Sequence, residues 1–223
     1  MVGSASLVAV SVTATPLSAA IAFGIAYAVG ALPVAWLLVR REKGIDLRLF
    51  GGTGAIDTLR AAGPSTALLA GFIELLKGGV VGLIAYLLSH HTDWFAASAI
   101  AGCVVGDAFP VGFRRGGRGL VPLISGLALS LPLAGLLCAV IAVPVAVSTR
   151  MRGSVYDLAV TIAVPLGLLL GSFDWRTLPP AVVIVLALVV RSRLRRGARA
   201  RSALAGHAGA TILDLPPSPQ QEP

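Results

Sequence analysis

The sequence contains few charged residues and few aromatic residues for its length. Only 13% of its 223 residues are charged and 6% are aromatic, whereas a soluble domain carries roughly 25% charged residues. The mean hydropathy of +0.88 agrees with this shortage. A soluble globular domain is therefore a poor interpretation of this chain.

Cysteine is also scarce, and its placement excludes several kinds of site. Cys103 and Cys138 lie inside apolar runs, without CxxC spacing or a neighbouring histidine, so we interpret them as small core residues. The segment 90–93, His-His-Thr-Asp, has no further metal ligand nearby and is interpreted as a polar turn. No glycine-rich segment ends in Gly-Lys-Ser/Thr, which excludes a P-loop nucleotide site. We expect neither a metal nor a cofactor.

Positive charge is present, and it lies between long apolar runs. A net charge of +8 can indicate a nucleic-acid-binding protein. Lys and Arg placed between apolar runs are instead typical of the cytoplasmic loops of membrane proteins. The apolar runs are long enough to cross a hydrocarbon core of about 30 Å. The sequence therefore predicts an all-α, polytopic integral membrane protein and no nucleic-acid partner.

Seven transmembrane helices are predicted from the apolar runs. Pro33 is expected to kink the first of them. The transmembrane domain is placed at residues 18–200, between an N-terminal tail at 1–17 and a disordered C-terminal tail at 201–223. The predicted spans cover residues 18–39, 64–89, 94–113, 120–131, 132–147, 155–173 and 178–190.

The run 120–147 is interpreted as two short spans that turn near Leu131 and Pro132. One helix of these 28 residues would be about 42 Å long, too long without strong tilt. Arginines flank the run on both sides, and an even number of crossings places all of them in the cytoplasm. The resulting topology has its N-terminus outside and its C-terminus in the cytoplasm. Every Lys and Arg except Lys77 and Arg176 then lies on the cytoplasmic side.

Two glycine-rich segments between the spans are suited to binding phosphate. We define the first loop as residues 50–60 and the second loop as residues 106–119. Glycines allow successive backbone N–H groups to approach an anion, and arginines bind phosphate through paired hydrogen bonds. Glycine turns with positive charge are also common in cytoplasmic loops, so that alternative stays open. The candidate substrate-binding residues are Gly51, Gly54, Arg60, Lys77, Arg115, Gly116, Gly117, Arg118, Gly119 and Arg150.

Lys77 lies unusually deep in a predicted span, about 19 Å along a helix that starts at Pro64. Ionisable residues at such depth face protein or water and usually pair. Glu74 lies three residues earlier, on the same helix face. Two interpretations follow: a structural ion pair between Glu74 and Lys77, or a lysine that reaches a polar cavity open to the two loops.

Several short motifs occur in an order that is similar to that of a known family. They are Gly30-Ala-Leu-Pro33, Gly51-x-x-Gly54-Ala with Arg60, Lys77-Gly78, Phe109-Pro110, and Arg-Gly-Gly-Arg-Gly at 115–119. Over about residues 18–200 this order resembles the bacterial membrane glycerol-3-phosphate acyltransferases, the PlsY family. The resemblance implies seven spans in the bacterial plasma membrane with the motif loops in the cytoplasm. It also implies acyl transfer from acyl-phosphate to glycerol-3-phosphate, yielding lysophosphatidate without a cofactor.

The chain departs from that family at polar residues that would orient the hydroxyl group. For accepting the hydroxyl proton it offers Asp107, Asp57 or a phosphate oxygen of the substrate. These two carboxylates are therefore the candidate catalytic residues. The substituted positions are Phe50, Gly52, Ile56 and Asp57 for Ser, Asn, Thr and Asn, Asp107 for His, Met151 and Gly153 for Tyr and Ser, and Ala187 and Val190 for His and Asn.

Three functions remain open from the sequence. The first is a membrane acyltransferase whose partners are acyl-phosphate, glycerol-3-phosphate and membrane lipid. The second is a relative that binds a phosphorylated ligand without turnover. The third is a small transporter, supported mainly by the depth of Lys77. The sequence implies no particular oligomeric state.

Overall fold

The computed structural model describes residues 12–47, 55–111, 116–117, 119–148 and 154–194, and within these ranges the chain forms helices and no strand. Most of the predicted N-terminal tail and all of the predicted C-terminal tail lie outside the described residues. A 3-10 turn at Trp175–Thr177 leads into α9 (178–194). The preceding helices are α1 (Pro16–Gly30), α2 (Val34–Lys43), α3 (Ala55–Ala62), α4 (Pro64–Leu88), α5 (Asp93–Ala108), α6 (Leu120–Ser130), α7 (Pro132–Ser148) and α8 (Ser154–Ser172).

The helices confirm the predicted all-α membrane fold. Pro16–Lys43, Pro64–Leu88 and Trp175–Leu194 are long and apolar enough to cross a bilayer, and shorter apolar helices lie between them. Each predicted span corresponds to one helix, except that α1 and α2 together form the first. Leu17 and Leu68 are 72% and 75% exposed, as expected of side chains that face lipid rather than water.

The first span is broken rather than kinked. α1 ends at Gly30, and α2 begins at Val34 after a short non-helical segment. Pro33 explains the break, because it lacks an N–H group and pushes the preceding residue towards an extended conformation. The main-chain carbonyls of Gly30 and Leu32 both accept hydrogen bonds from Lys77 Nζ of α4, at 3.4 Å and 2.8 Å. A side chain of a neighbouring helix therefore satisfies acceptors that the break exposes.

The predicted division of 120–147 into two helices is confirmed. α6 ends at Ser130, and α7 begins at Pro132. A Cβ atom added to Gly135 would lie 3.2 Å from Cβ of Leu127. Eight residues of continuous helix would separate these positions by about 12 Å. The chain therefore turns back sharply at Leu131.

α1 and α5 lie side by side and run in the same direction. A Cβ atom on Gly102 would collide with the main chain of Phe23, and one on Gly106 would collide with the main chain of Tyr27. The contact therefore advances by four residues along both helices. Glycines allow this close backbone approach, which drives helix association where no water remains to be displaced.

α4 and α6 also run in the same direction, again through glycine contacts. Gly78 packs against the main chain of Pro122, and Gly82 packs against Gly126. α5 runs antiparallel to α4, since Glu74 lies near Asp107 at one end and Ala85 packs with Phe95 at the other. These directions alternate along the chain, as a polytopic helical protein with short connections requires.

This packing brings four features of the chain to the same end of the bundle. They are the break after α1, the middle of α4 at Lys77, the end of α5 at Asp107 and the start of α6 at Gly119. α2 and α3 lie beyond this level. Ala61 and Ala62 of α3 pack there against the buried residues Val39, Leu47 and Ala70.

Candidate active site

The second loop is fixed at its start by contacts with α1 and α5. The hydroxyl of Tyr27 donates to the main-chain carbonyl of Phe109 at 2.9 Å. The main-chain carbonyl of Asp107 accepts from the Gly117 N–H at 2.8 Å. The Asp107 carboxylate accepts from the Gly119 N–H, also at 2.8 Å. Asp107 is only 7% exposed, so these bonds hold the loop against the helix that precedes it.

Glycine is favoured at several positions of the second loop, and a Cβ atom on Gly116 would collide with the main-chain carbonyls of Asp107 and Ala108. A Cβ atom on Gly117 would collide with the carboxylate of Asp107. Gly119 has a φ of +73°, a left-handed conformation that costs non-glycine residues about 1 kcal/mol or more. Gly119 also precedes the first residue of α6, so the loop delivers its backbone to a helix N-terminus. A helix N-terminus favours negatively charged groups, and here the carboxylate of Asp107 takes that position.

A third anchor of the second loop, Arg191 of α9, was not predicted from the sequence. Its guanidinium group donates through Nε to the Gly117 carbonyl at 3.1 Å and through Nη2 to the Gly116 carbonyl. Arg191 is only 3% exposed. From the sequence it belongs to an arginine-rich extension of the last helix into the cytosol, and the structure corrects that interpretation.

A signal for Arg191 was nevertheless present in the sequence. Ala181, Ile184 and Leu188 form the buried stripe of α9, with exposures of 0%, 0% and 7%. Steps of three and four residues define one helix face, and the next step from Leu188 reaches Arg191. Arg193 lies off this face and is exposed. The periodicity of the apolar residues therefore separates Arg191 from its arginine neighbours.

The predicted ion pair between Glu74 and Lys77 does not form among the described residues. Lys77 Nζ donates to the carbonyls of Gly30 and Leu32 instead. Glu74 is 5% exposed and lines a very small pocket together with Asp107 and the segment 30–34. Lys77 is thus a structural support of the break after α1. These contacts give the depth of Lys77 a structural explanation, so its depth alone no longer indicates a transporter.

The structure describes only some of the other predicted site residues. Asp57 and Arg60 belong to α3, whose backbone is described although their side chains are not. α3 begins at Ala55, directly after the glycines of the first loop. Of the predicted site residues that the structure describes in full, the following lie at one end of the bundle: Asp107, Lys77, Gly116, Gly117 and Gly119. Gly51, Gly54, Arg115, Arg118 and Arg150 lie outside the described residues.

Comparison with known proteins identifies the family. The model of the family described as glycerol-3-phosphate acyltransferase matches residues 20–201. The chain belongs to the glycerol-3-phosphate acyltransferase family. This confirms the resemblance that the motif order predicted.

Individual members of the glycerol-3-phosphate acyltransferase family align over most of the chain. Glycerol-3-phosphate acyltransferase 1 of Deinococcus radiodurans is 31% identical over 78% of this chain and 87% of that protein. A glycerol-3-phosphate acyltransferase of Thermus thermophilus is 32% identical over 79% of this chain and 92% of its own length. The alignment with the Halalkalibacterium halodurans protein, at 34% identity, spans 62% of that protein.

The fold also matches a solved member of the glycerol-3-phosphate acyltransferase family. The crystal structure of PlsY in its glycerol-3-phosphate form covers 85% of this chain and 93% of the PlsY chain, with a TM-score of 0.66 and 27% identity. The helical bundle is therefore that of an integral membrane acyltransferase.

We predict that Asp107 supports the second loop through its hydrogen bond to the Gly119 N–H. Asp107→Ala removes a buried acceptor and should lower the free energy of unfolding by about 1–3 kcal/mol. Asp107→Asn keeps a side-chain oxygen for the same N–H and should lower it by clearly less. Thermal unfolding of both variants in the same detergent measures this. Equal losses in the two variants would contradict the assigned role.

Proposed function

We propose that this protein transfers the acyl group of an acyl-phosphate to the 1-hydroxyl of glycerol-3-phosphate. The hydroxyl oxygen attacks the carbonyl carbon, the bond from this carbon to the phosphate oxygen breaks, and the hydroxyl proton leaves with a base. The products are lysophosphatidate and inorganic phosphate. Besides family membership, the observation that carries the proposal is the second loop. Its glycine backbone is held by Asp107 at the start of a helix.

The site supplies positive groups where negative charge develops in this reaction. Stabilisation of charge on the carbonyl oxygen and the leaving phosphate is commonly the largest catalytic contribution. In our proposal the arginines of the second loop bind phosphate, and the glycines between them allow the ligand to approach closely. Arg60 and Arg150 complete the set of cations, and Gly51 and Gly54 allow the first loop to approach the ligand. The proposed anion-binding residues of the second loop are Arg115, Gly116, Gly117, Arg118 and Gly119.

The proton of the attacking hydroxyl needs an acceptor. Asp107 already uses one carboxylate oxygen for the Gly119 N–H, so we assign it to holding the loop. Asp57 and a phosphate oxygen of the substrate remain as acceptors, and we favour the phosphate oxygen because it needs no additional residue. Loss of a true general base lowers the rate by about 10²–10⁴. Asp107→Asn should therefore cause a much smaller loss.

An apolar groove between α1 and α4 is the proposed site for the acyl chain. Its volume is about 480 Å³, and it reaches from Lys77 and Val29 at one end to Leu88 at the other. The twelve residues from Lys77 to Leu88 span about 17 Å of helix. Apart from Ser18 and Lys77, its lining is apolar. A hydrocarbon chain in this groove would have its reactive head at the level of Asp107 and the second loop.

The proposed topology places this reactive end at the cytoplasmic face of the bacterial plasma membrane. The N-terminus then lies outside and the C-terminus in the cytoplasm. The support for this orientation is the charge distribution, because nearly all Lys and Arg residues fall on one side of the alternating helices. Arg176, an exception, lies in the turn before α9, at the opposite end from Arg191.

Turnover by the purified protein in lipid nanodiscs tests the reaction. With acyl-phosphate and glycerol-3-phosphate it should release phosphate and lysophosphatidate in equal amounts. Arg60→Gln should raise the KM for glycerol-3-phosphate by about tenfold, since a lost charge-assisted contact is worth about 1.5–3 kcal/mol. Thermal stabilisation by glycerol-3-phosphate without product would identify a non-catalytic binder. Product from acyl-coenzyme A but not from acyl-phosphate would show that the donor is wrong.

We also predict that filling the groove changes the preferred acyl chain. Ala22 lines the groove and is half-buried. Ala22→Phe should reduce kcat/KM for long acyl-phosphates at least about tenfold more than for short ones. Ala28→Phe is the matched control, because Ala28 lies on the same helix, is exposed and lies outside the groove. Equal effects of both variants at every chain length would place the acyl chain elsewhere.

A further inference from the structure

The last helix reaches the second loop through one buried guanidinium group. Arg191 donates from Nε to the Gly117 carbonyl at 3.1 Å and from Nη2 to the Gly116 carbonyl. Seventy-four and seventy-five residues separate the partners in the sequence. Leu188, one turn earlier on the same face, also approaches Gly119 closely. α9 thus contacts the loop through both its apolar stripe and this arginine.

These contacts fix one peptide unit from both sides. In a trans peptide, the C=O and N–H groups point in opposite directions. The carbonyl of Gly116 is bound by Arg191, and the N–H of Gly117 in the same peptide unit is bound by the main-chain carbonyl of Asp107. α9 and α5 therefore hold this peptide between them. Rotation of the unit would break a hydrogen bond on each side.

Arginine is suited to this position for a geometric reason. Its planar guanidinium group presents several N–H donors in a fixed arrangement, so two neighbouring carbonyls can be bound at once. Lysine keeps the positive charge but lacks this fixed arrangement. Glutamine offers a shorter donor without charge. Burial of Arg191 at 3% exposure separates it from an arginine that only marks the cytoplasmic end of a helix.

We propose that Arg191 is the residue that positions the second loop for phosphate binding. This inference rests on the proposed function and adds to it a residue that needs no contact with substrate. A loop held in its binding conformation loses less conformational entropy when the ligand arrives. Loss of the clamp should therefore weaken the binding of glycerol-3-phosphate and leave the chemical step largely unchanged. Arg191 acts through Gly116 and Gly117, so it is a positioning residue rather than a catalytic one.

The test compares Arg191→Gln and Arg191→Lys in the full-length protein in lipid nanodiscs. Both variants should raise the KM for glycerol-3-phosphate by at least about tenfold and change kcat by less than about threefold. Amide hydrogen exchange in the peptide that contains 116–119 should become at least about tenfold faster in both, while exchange in α4 and α5 stays as in the wild type. If the glutamine variant fails to fold, the lysine variant decides alone.

Arg176→Gln is the matched control, since Arg176 is an exposed arginine at the opposite end of the same helical segment. It should leave both exchange and KM unchanged. Wild-type behaviour of Arg191→Lys would overturn the proposal, because charge alone would then suffice. Unchanged loop exchange, unchanged KM, or faster exchange spread evenly over all helices would overturn it as well. If the wild type makes no product, the proposed reaction fails, and loop exchange alone decides whether Arg191 holds the loop.

Discussion

Main-chain groups inside a membrane protein must find their hydrogen-bond partners within the protein, and this requirement explains the site. The helical bundle is interrupted twice at the same level, once after α1 and once after α5. Each interruption leaves main-chain carbonyls without a helical partner, and a carbonyl that is buried in the protein is costly to leave unpaired. A long polar side chain from a neighbouring helix closes each one. Lys77 binds the carbonyls of the first interruption, and Arg191 binds those of the second.

This support differs from the roles that the sequence suggests, which are substrate binding for Lys77 and proton acceptance for Asp107. Lys77 and Asp107 stand out because their charge is unexpected in an apolar segment, and both indeed lie at the site. Both side chains make hydrogen bonds to main-chain atoms. Such residues keep irregular backbone in one conformation, and this fixes where the second loop begins and ends. The replacement of histidine by Asp107 is compatible with this role, because a carboxylate can accept the Gly119 N–H.

The fold was predictable from the sequence because it depends on properties that single residues report. Apolar length, the prolines at 33 and 132, and the placement of arginine determine the spans and the reversal after α6. The site was less predictable, because it depends on contacts between residues far apart in the chain. The Glu74–Lys77 spacing suggested a local ion pair as one of two interpretations, but the carbonyls of Gly30 and Leu32 bind the lysine. Arg191 was missed because its charge placed it in a group with the neighbouring arginines, although its spacing puts it on the buried face of α9.

The central claim is that the second loop, which Asp107 and Arg191 hold in place, binds the phosphate of the substrate. An experimental structure of the protein in lipid nanodiscs with glycerol-3-phosphate tests it most directly. The account predicts the phosphate beside residues 116–119, within hydrogen-bond distance, about 2.7–3.2 Å, of the guanidinium group of Arg115 or Arg118. A phosphate bound away from this loop, with the Arg191 contacts intact, would contradict the account.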